Sequence, residues 1–162
     1  MELHAKGIIT GYDETNFKPN VKINRAEFTQ LILKSFNYVI AEKIKEKPFT
    51  DVPLEKWYAP AVATAVEQKL IKGYSDGTFR PEQIMTRAEA LKVALEASKT
   101  TIKTTKGNEY SDLAQNAWYT RYINFATSEG IMTGYNNGTF RPSGQITRGE
   151  VTKIISTILD RL

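Results

Sequence analysis

Three arginines stand at the same place in three copies of one pattern: Arg25, Arg87 and Arg148, each followed two residues later by Glu27, Glu89 or Glu150. Immediately before them are Asn24, Thr86 and Thr147. A short polar residue three positions ahead of a glutamate is capping-box spacing. Its side chain accepts from the glutamate's amide, and the carboxylate reaches back to the cap's own amide. The spacing therefore predicts three helices that begin at the arginines, with Glu27, Glu89 and Glu150 as scaffold. A helix start carries partial positive charge, so a cation there has the wrong sign by a few tenths of a kcal/mol. One chemistry would justify it. Unpaired amides at a helix start and a planar guanidinium fork together can hold a carboxylate. The alternative is that an exposed first helical position tolerates most residues.

Other chemistries find little support. The chain has no cysteine, which excludes disulfides, thiolate catalysis and cysteine-type zinc sites. Its single histidine, His4, lies near the terminus and pairs with no second histidine for a metal. No phosphate-loop glycine pattern occurs. No enzyme activity, cofactor or metal is expected.

The arginines belong to a repeat. "GYDETNFKPNVKINRAEF", "GYSDGTFRPEQIMTRAEA" and "GYNNGTFRPSGQITRGEV" begin at Gly11, Gly73 and Gly134, which are 62 and then 61 residues apart. Each runs 17 residues from its first glycine to the glutamate. Apolar spacing then continues: Phe28, Leu31, Ile32 and Ser35 align with Ala90, Val93, Ala94 and Ala97, and with Val151, Ile154, Ile155 and Ile158. This i, i+3, i+4, i+7 pattern marks one face of a helix, here called helix B.

Upstream, "PFTDVPLEKWYAPAVATAVEQKLIKGY" matches "EYSDLAQNAWYTRYINFATSEGIMTGY". In both, an aspartate (Asp51, Asp112) precedes Trp-Tyr (Trp57, Trp118) by six residues, and about ten residues of helical pattern follow as helix A. Pro60 suits the first turn of such a helix. Asp76-Gly77 and Asn137-Gly138 are turn pairs, whereas repeat one has Glu14-Thr15 there. The loop aromatics Tyr12, Tyr74, Tyr135, Phe17, Phe79 and Phe140 hold fixed places, the phenylalanines as pins to the core. The glycines serve the backbone, with room for close approach by a ligand. The polar run 98–109 reads as an exposed connector. Asp51 and Asp112 either cap a local turn or face a groove. Trp57 and Trp118 are either core aromatics or platforms for a sugar face.

The domain reading is three repeats, 1–47, 48–108 and 109–162. Counting back 62 residues from Asp51 and Trp57 passes Met1, so the first is expected to lack most of helix A. At 162 residues and 41% hydrophobic, the chain can bury a core, and no stretch approaches the ~18 apolar residues of a membrane span. The net charge of +4 favours acidic partners. Cations and acids are interleaved, so no nucleic-acid stripe is present.

In the order "FTDV…WY", "G-[IL]-I-x-G-Y-x-[DN]-G-T-F-R-P" and "TRAE", the chain resembles the S-layer homology (SLH) family of bacterial cell envelopes over essentially its whole length. The resemblance implies an all-α, pseudo-threefold unit with one helix per repeat in a central three-helix bundle. It also implies an extracellular, cell-wall location and a polysaccharide ligand bearing pyruvate ketals, hence anionic. Each groove would join the start of helix B to the helix A lead-in of the next repeat. Arg25 would then stand with Asp51 and Trp57, and Arg87 with Asp112 and Trp118. Arg148 would face a gap, giving two complete grooves and a broken one. Gly11, Gly73 and Gly134 complete the candidate binding residues. Arg87→Ala is expected to weaken binding by about 1.5–3 kcal/mol and to leave stability unchanged or slightly raised.

The rival function is a protein-binding or assembly module, including S-layer or self-association. In that reading another chain or segment completes the first repeat and covers the apolar face it leaves.

Overall fold

The computed structural model describes residues 18–107 and 110–162. Five helices appear among them: α1 (Arg25–Ser35), α2 (Ala59–Glu67), α3 (Arg87–Ala97), α4 (Thr120–Ser128) and α5 (Arg148–Leu159). The fold is all-α, and extended pairing among the described residues is limited to isolated bridges. Helices α1, α3 and α5 are the expected B helices; α2 and α4 are the A helices of the second and third repeats. The expected remnant of helix A in repeat one, with Gly11, Tyr12, the Glu14-Thr15 loop and Phe17, lies outside the described residues.

All three B helices begin at their arginines, and each carries the complete capping box. Glu89 N donates to Thr86 Oγ1 at 3.3 Å, and Thr86 N donates to Glu89 Oε2 at 2.9 Å. Glu27 N donates to Asn24 Oδ1 at 2.8 Å, and Glu150 N to Thr147 Oγ1 at 3.2 Å. The A helices start without a side-chain cap, from Tyr58 and Tyr119, and α2 has its proline in the first turn. Proline costs nothing there because that amide has no intrahelical partner.

The chain divides into two compact units: residues 23–84 with Lys18, and residues 85–162 with 19–22. In the first, α1 packs against α2; in the second, α3 packs against both α4 and α5. Contact on two sides explains why α3 buries Ala88, Ala90, Leu91, Val93, Ala94, Leu95 and Ala97, leaving chiefly Glu89, Lys92 and Glu96 for polar work. On α5 the buried stripe is the expected Val151, Ile154, Ile155 and Ile158. On α1 Phe28, Ile32 and Ser35 are buried as expected, Leu31 is only half-buried, and Thr29 and Leu33 widen the stripe.

The two Gly-Tyr loops fold alike. Gly77 (φ 79°) and Gly138 (φ 76°) supply the left-handed turn residue that an L side chain adopts reluctantly. Tyr74 N donates to Thr78 O at 2.8 Å, and Tyr135 N to Thr139 O at 2.7 Å, closing each loop. Phe79 and Phe140 are fully buried and pin the loops down.

Candidate functional site

The side chains of Arg25 and Arg87 leave the helix start and go to the loops. Arg87 is 3% exposed. Its Nε donates to Phe140 O at 2.9 Å and its Nη2 to Thr133 O at 3.1 Å, while Nη1 pairs with Glu150. The guanidinium carbon lies 4.8 Å from the ring centroids of both Tyr135 and Phe140. In the other unit Arg25, 6% exposed, repeats the arrangement. Its Nε donates to Phe79 O at 2.9 Å and its Nη2 to Lys72 O at 3.1 Å, beside Tyr74 and Phe79. A guanidinium has five N–H groups in a rigid fork, and carbonyls at 2.9 and 3.1 Å hold it without a ligand. Glu150 thus does two jobs. Oε2 completes the capping box and Oε1 meets Arg87.

The helix-start amides are occupied too. Arg87 N and Ala88 N donate to Gly144 O and Pro142 O at 2.8 and 3.0 Å; Arg25 N and Ala26 N donate to Gln83 O and Pro81 O at 2.9 and 3.0 Å. Arg148 N and Gly149 N donate to Val21 O and Pro19 O, both at 2.9 Å. The unpaired amides expected to share an anion with the arginine are therefore already paired with loop carbonyls. Gly149 allows the close approach of Pro19: an added Cβ would meet its Cβ and its carbonyl oxygen, each at 3.1 Å.

Asp51 and Asp112 tie the same loops from the opposite side. Asp51 accepts from Phe79 N and Arg80 N, both at 2.7 Å; Asp112 accepts from Phe140 N at 2.8 Å and Arg141 N at 2.7 Å. Two successive amides converging on one anion form a nest. They hold Arg80 and Arg141, each at φ 58°, in the left-handed region although a proline follows. Arg80 stacks over Tyr74 at 3.9 Å and Arg141 over Tyr135 at 4.4 Å. Sequence reasoning missed both arginines. The only signal for them was the repeated "GTFRP" itself.

Gly73 and Gly134 serve packing. A Cβ on Gly73 would run into the Phe49 ring, and one on Gly134 into the Tyr110 ring and Thr139 O. Trp57 and Trp118 are 57% and 52% exposed, each edge-on to the following tyrosine. They are surface aromatics, free to meet a ligand face. Burial, aided by Glu82, Asp51 and Glu55, pushes the Tyr58 phenol above its usual 10.0.

Within the second unit Arg87 borders a cleft of about 230 Å³ with Gly134, Tyr135, Glu150 and Lys153. Trp118 borders a different cavity, of about 690 Å³. Arg87, Asp112 and Gly134 are thus drawn to one loop, and Trp118 stands apart from the arginine's cleft. Arg148 is half-buried at the start of α5. Among the described residues no group of three histidines, aspartates or glutamates could hold a metal, and no helix is long and apolar enough to cross a membrane.

The S-layer homology domain model matches residues 1–29, 48–91 and 109–152. Cell surface glycoprotein 1 of Acetivibrio thermocellus is 32% identical, over 96% of this chain and 7% of that protein. The cellulosome-anchoring protein of the same organism is also 32% identical, over 94% of this chain and 35% of its own length. The surface-layer 125 kDa protein of Lysinibacillus sphaericus is 28% identical, over 96% of this chain and 13% of that protein. The chain spans a minor part of each of these relatives. Three matched segments, three capped helices opening on arginine and two loops clamped alike place this chain in the S-layer homology family.

Proposed function

We propose that this chain is a non-catalytic, extracellular module that anchors a larger protein to the bacterial cell wall by binding anionic, pyruvate-bearing polysaccharide. The observation that carries the reading is the Arg87 cleft. It sets a buried guanidinium and Lys153 beside the Gly134–Tyr135 backbone. Three of the five Arg87 N–H groups have protein acceptors; among the described residues, one hydrogen on each terminal nitrogen has none. A ligand carboxylate would take these and compete with Glu150 for Nη1. At about 230 Å³ the cleft is smaller than the roughly 300–1,000 Å³ of small-molecule pockets. It suits a charged substituent better than a whole sugar chain.

Arg25 with Gly73 and Asp51 forms the related site of the first unit, and the repeats are bounded at 1–47, 48–108 and 109–162. Trp57 and Trp118 supply exposed rings for sugar faces. The names of the relatives, a cell surface glycoprotein, a cellulosome-anchoring protein and a surface-layer protein, support a wall location.

Co-sedimentation with purified cell-wall sacculi tests the reading. Binding to intact sacculi and loss after the polysaccharide is stripped are expected. Equal pelleting with stripped sacculi would overturn it.

A further inference from the structure

The larger cavity of the second unit has a use that the arginine cleft does not explain. It measures about 690 Å³ and lies between the connector at 102–105 and the start of α4. That volume is within the range of sites that enclose small organic ligands. Trp118 stands at its edge, 52% exposed, so its indole face is open to a ligand.

Its charge is one-sided. Lys92, Lys103 and Arg121 line it, and none of the described residues lining it is acidic. Beside it, Glu96 is already engaged. Lys92 Nζ donates to Glu96 Oε2 at 2.5 Å, and the Tyr122 hydroxyl donates to Oε1 at 2.6 Å. Arg121 in turn donates to the Tyr122 hydroxyl at 2.6 Å and lies 4.6 Å from that ring's centroid. One carboxylate therefore serves a lysine and a tyrosine–arginine chain, and Lys103 is exposed on the connector. A concave surface with excess positive charge attracts an anion.

An aromatic face and a surplus of cations together fit an acidic sugar. The ring lies on the indole and the acid meets the cations.

We infer that this cavity is a second subsite for an acidic sugar residue of the same polysaccharide, distinct from the Arg87 cleft, with Lys103 and Arg121 as its counter-charges. The inference rests on the wall-polysaccharide reading above and adds to it a site that reads the chain of sugars rather than one substituent.

The test uses Trp57→Phe protein, in which Trp118 is the sole tryptophan, titrated with size-fractionated pyruvylated wall polysaccharide. A saturable change in Trp118 emission is expected. Lys103→Glu should weaken it at least tenfold and Lys103→Arg should restore it. Lys106→Glu, on the same connector but outside the cavity, should stay within twofold. Binding by co-sedimentation with silent Trp118 emission would overturn the subsite and leave the wall reading intact. An equal effect of Lys106→Glu would reduce the cavity to general charge attraction and also overturn it. No binding of the polysaccharide by any variant would overturn both.

Discussion

Arg87 and Asp112 hold the two ends of one residue's backbone. Arg87 Nε donates to the carbonyl of Phe140 at 2.9 Å, and Asp112 Oδ1 accepts from its amide at 2.8 Å. Arg25 and Asp51 do the same to Phe79, at 2.9 and 2.7 Å. Each clamp joins the start of a B helix to the lead-in of the following A helix through a buried phenylalanine. The charges that would meet a ligand thus also hold the loop that shapes its site.

That double role reverses the stability expected of Arg87→Ala. Relief of the macrodipole gains a few tenths of a kcal/mol. Losing a buried fork leaves Phe140 O and Thr133 O without their donor and removes the ion pair to Glu150, and that cost dominates. Urea unfolding should show a loss of about 2–4 kcal/mol, with Arg87→Lys recovering only part because an ammonium cannot span the fork. An unchanged midpoint would show the carbonyl contacts to be energetically idle.

The aspartates should matter unequally. Asp51 is half-buried and Asp112 exposed, so the first loses more when removed. Asp51→Ala is expected to cost about 2–3 kcal/mol and Asp112→Ala about 1–2 kcal/mol by denaturant melts, because charge-assisted bonds weaken where water competes. Asparagine at either place should fall between, since it offers a single acceptor oxygen to two amides. The reverse order would contradict the clamp.

Alanine at the loop glycines separates a yielding contact from a rigid one. At Gly73 the three atoms nearest an added methyl all belong to the Phe49 ring, a side chain that can turn. At Gly134 it also meets the Thr139 carbonyl oxygen at 2.6 Å, part of the loop backbone. Thermal unfolding should place Gly134→Ala lower than Gly73→Ala, the former by about 2–4 kcal/mol. Equal melting temperatures would deny the close approach.

Acid should loosen the loop at 74–80 ahead of the core. Hydrogen bonds from Thr78 and Arg80 hold the Asp76 carboxyl down at about 2, against an ordinary 3.8. A depressed pKa contributes stability that is whole above 3.8 and is lost as pH falls toward 2. Protection of the Thr78 amide, relative to its intrinsic exchange rate, should therefore fall across that window in the native protein. In Asp76→Asn the pH-dependent step should disappear.

How much of this was legible beforehand follows from where each signal resides. The helix starts at Arg25, Arg87 and Arg148 were readable because a capping box is local: four residues contain both partners. The turns at Gly77 and Gly138 were readable for the same reason. The destination of Arg87 was not, since its acceptors at Thr133 and Phe140 lie 46 and 53 residues away. Nor could spacing decide whether Trp118 was core or surface, because its six-residue offset from Asp112 is compatible with either. Only packing puts the indole outside and Tyr122 inside.

The central claim is that the module recognises a carboxylate on the wall polysaccharide. Calorimetric titration of the intact chain with pyruvylated polysaccharide and with the same material after removal of pyruvate tests it most directly. The account predicts at least tenfold weaker binding of the depyruvylated form, the loss of about 1.4 kcal/mol or more expected for a charge-assisted bond. Equal affinity for the two forms would contradict it.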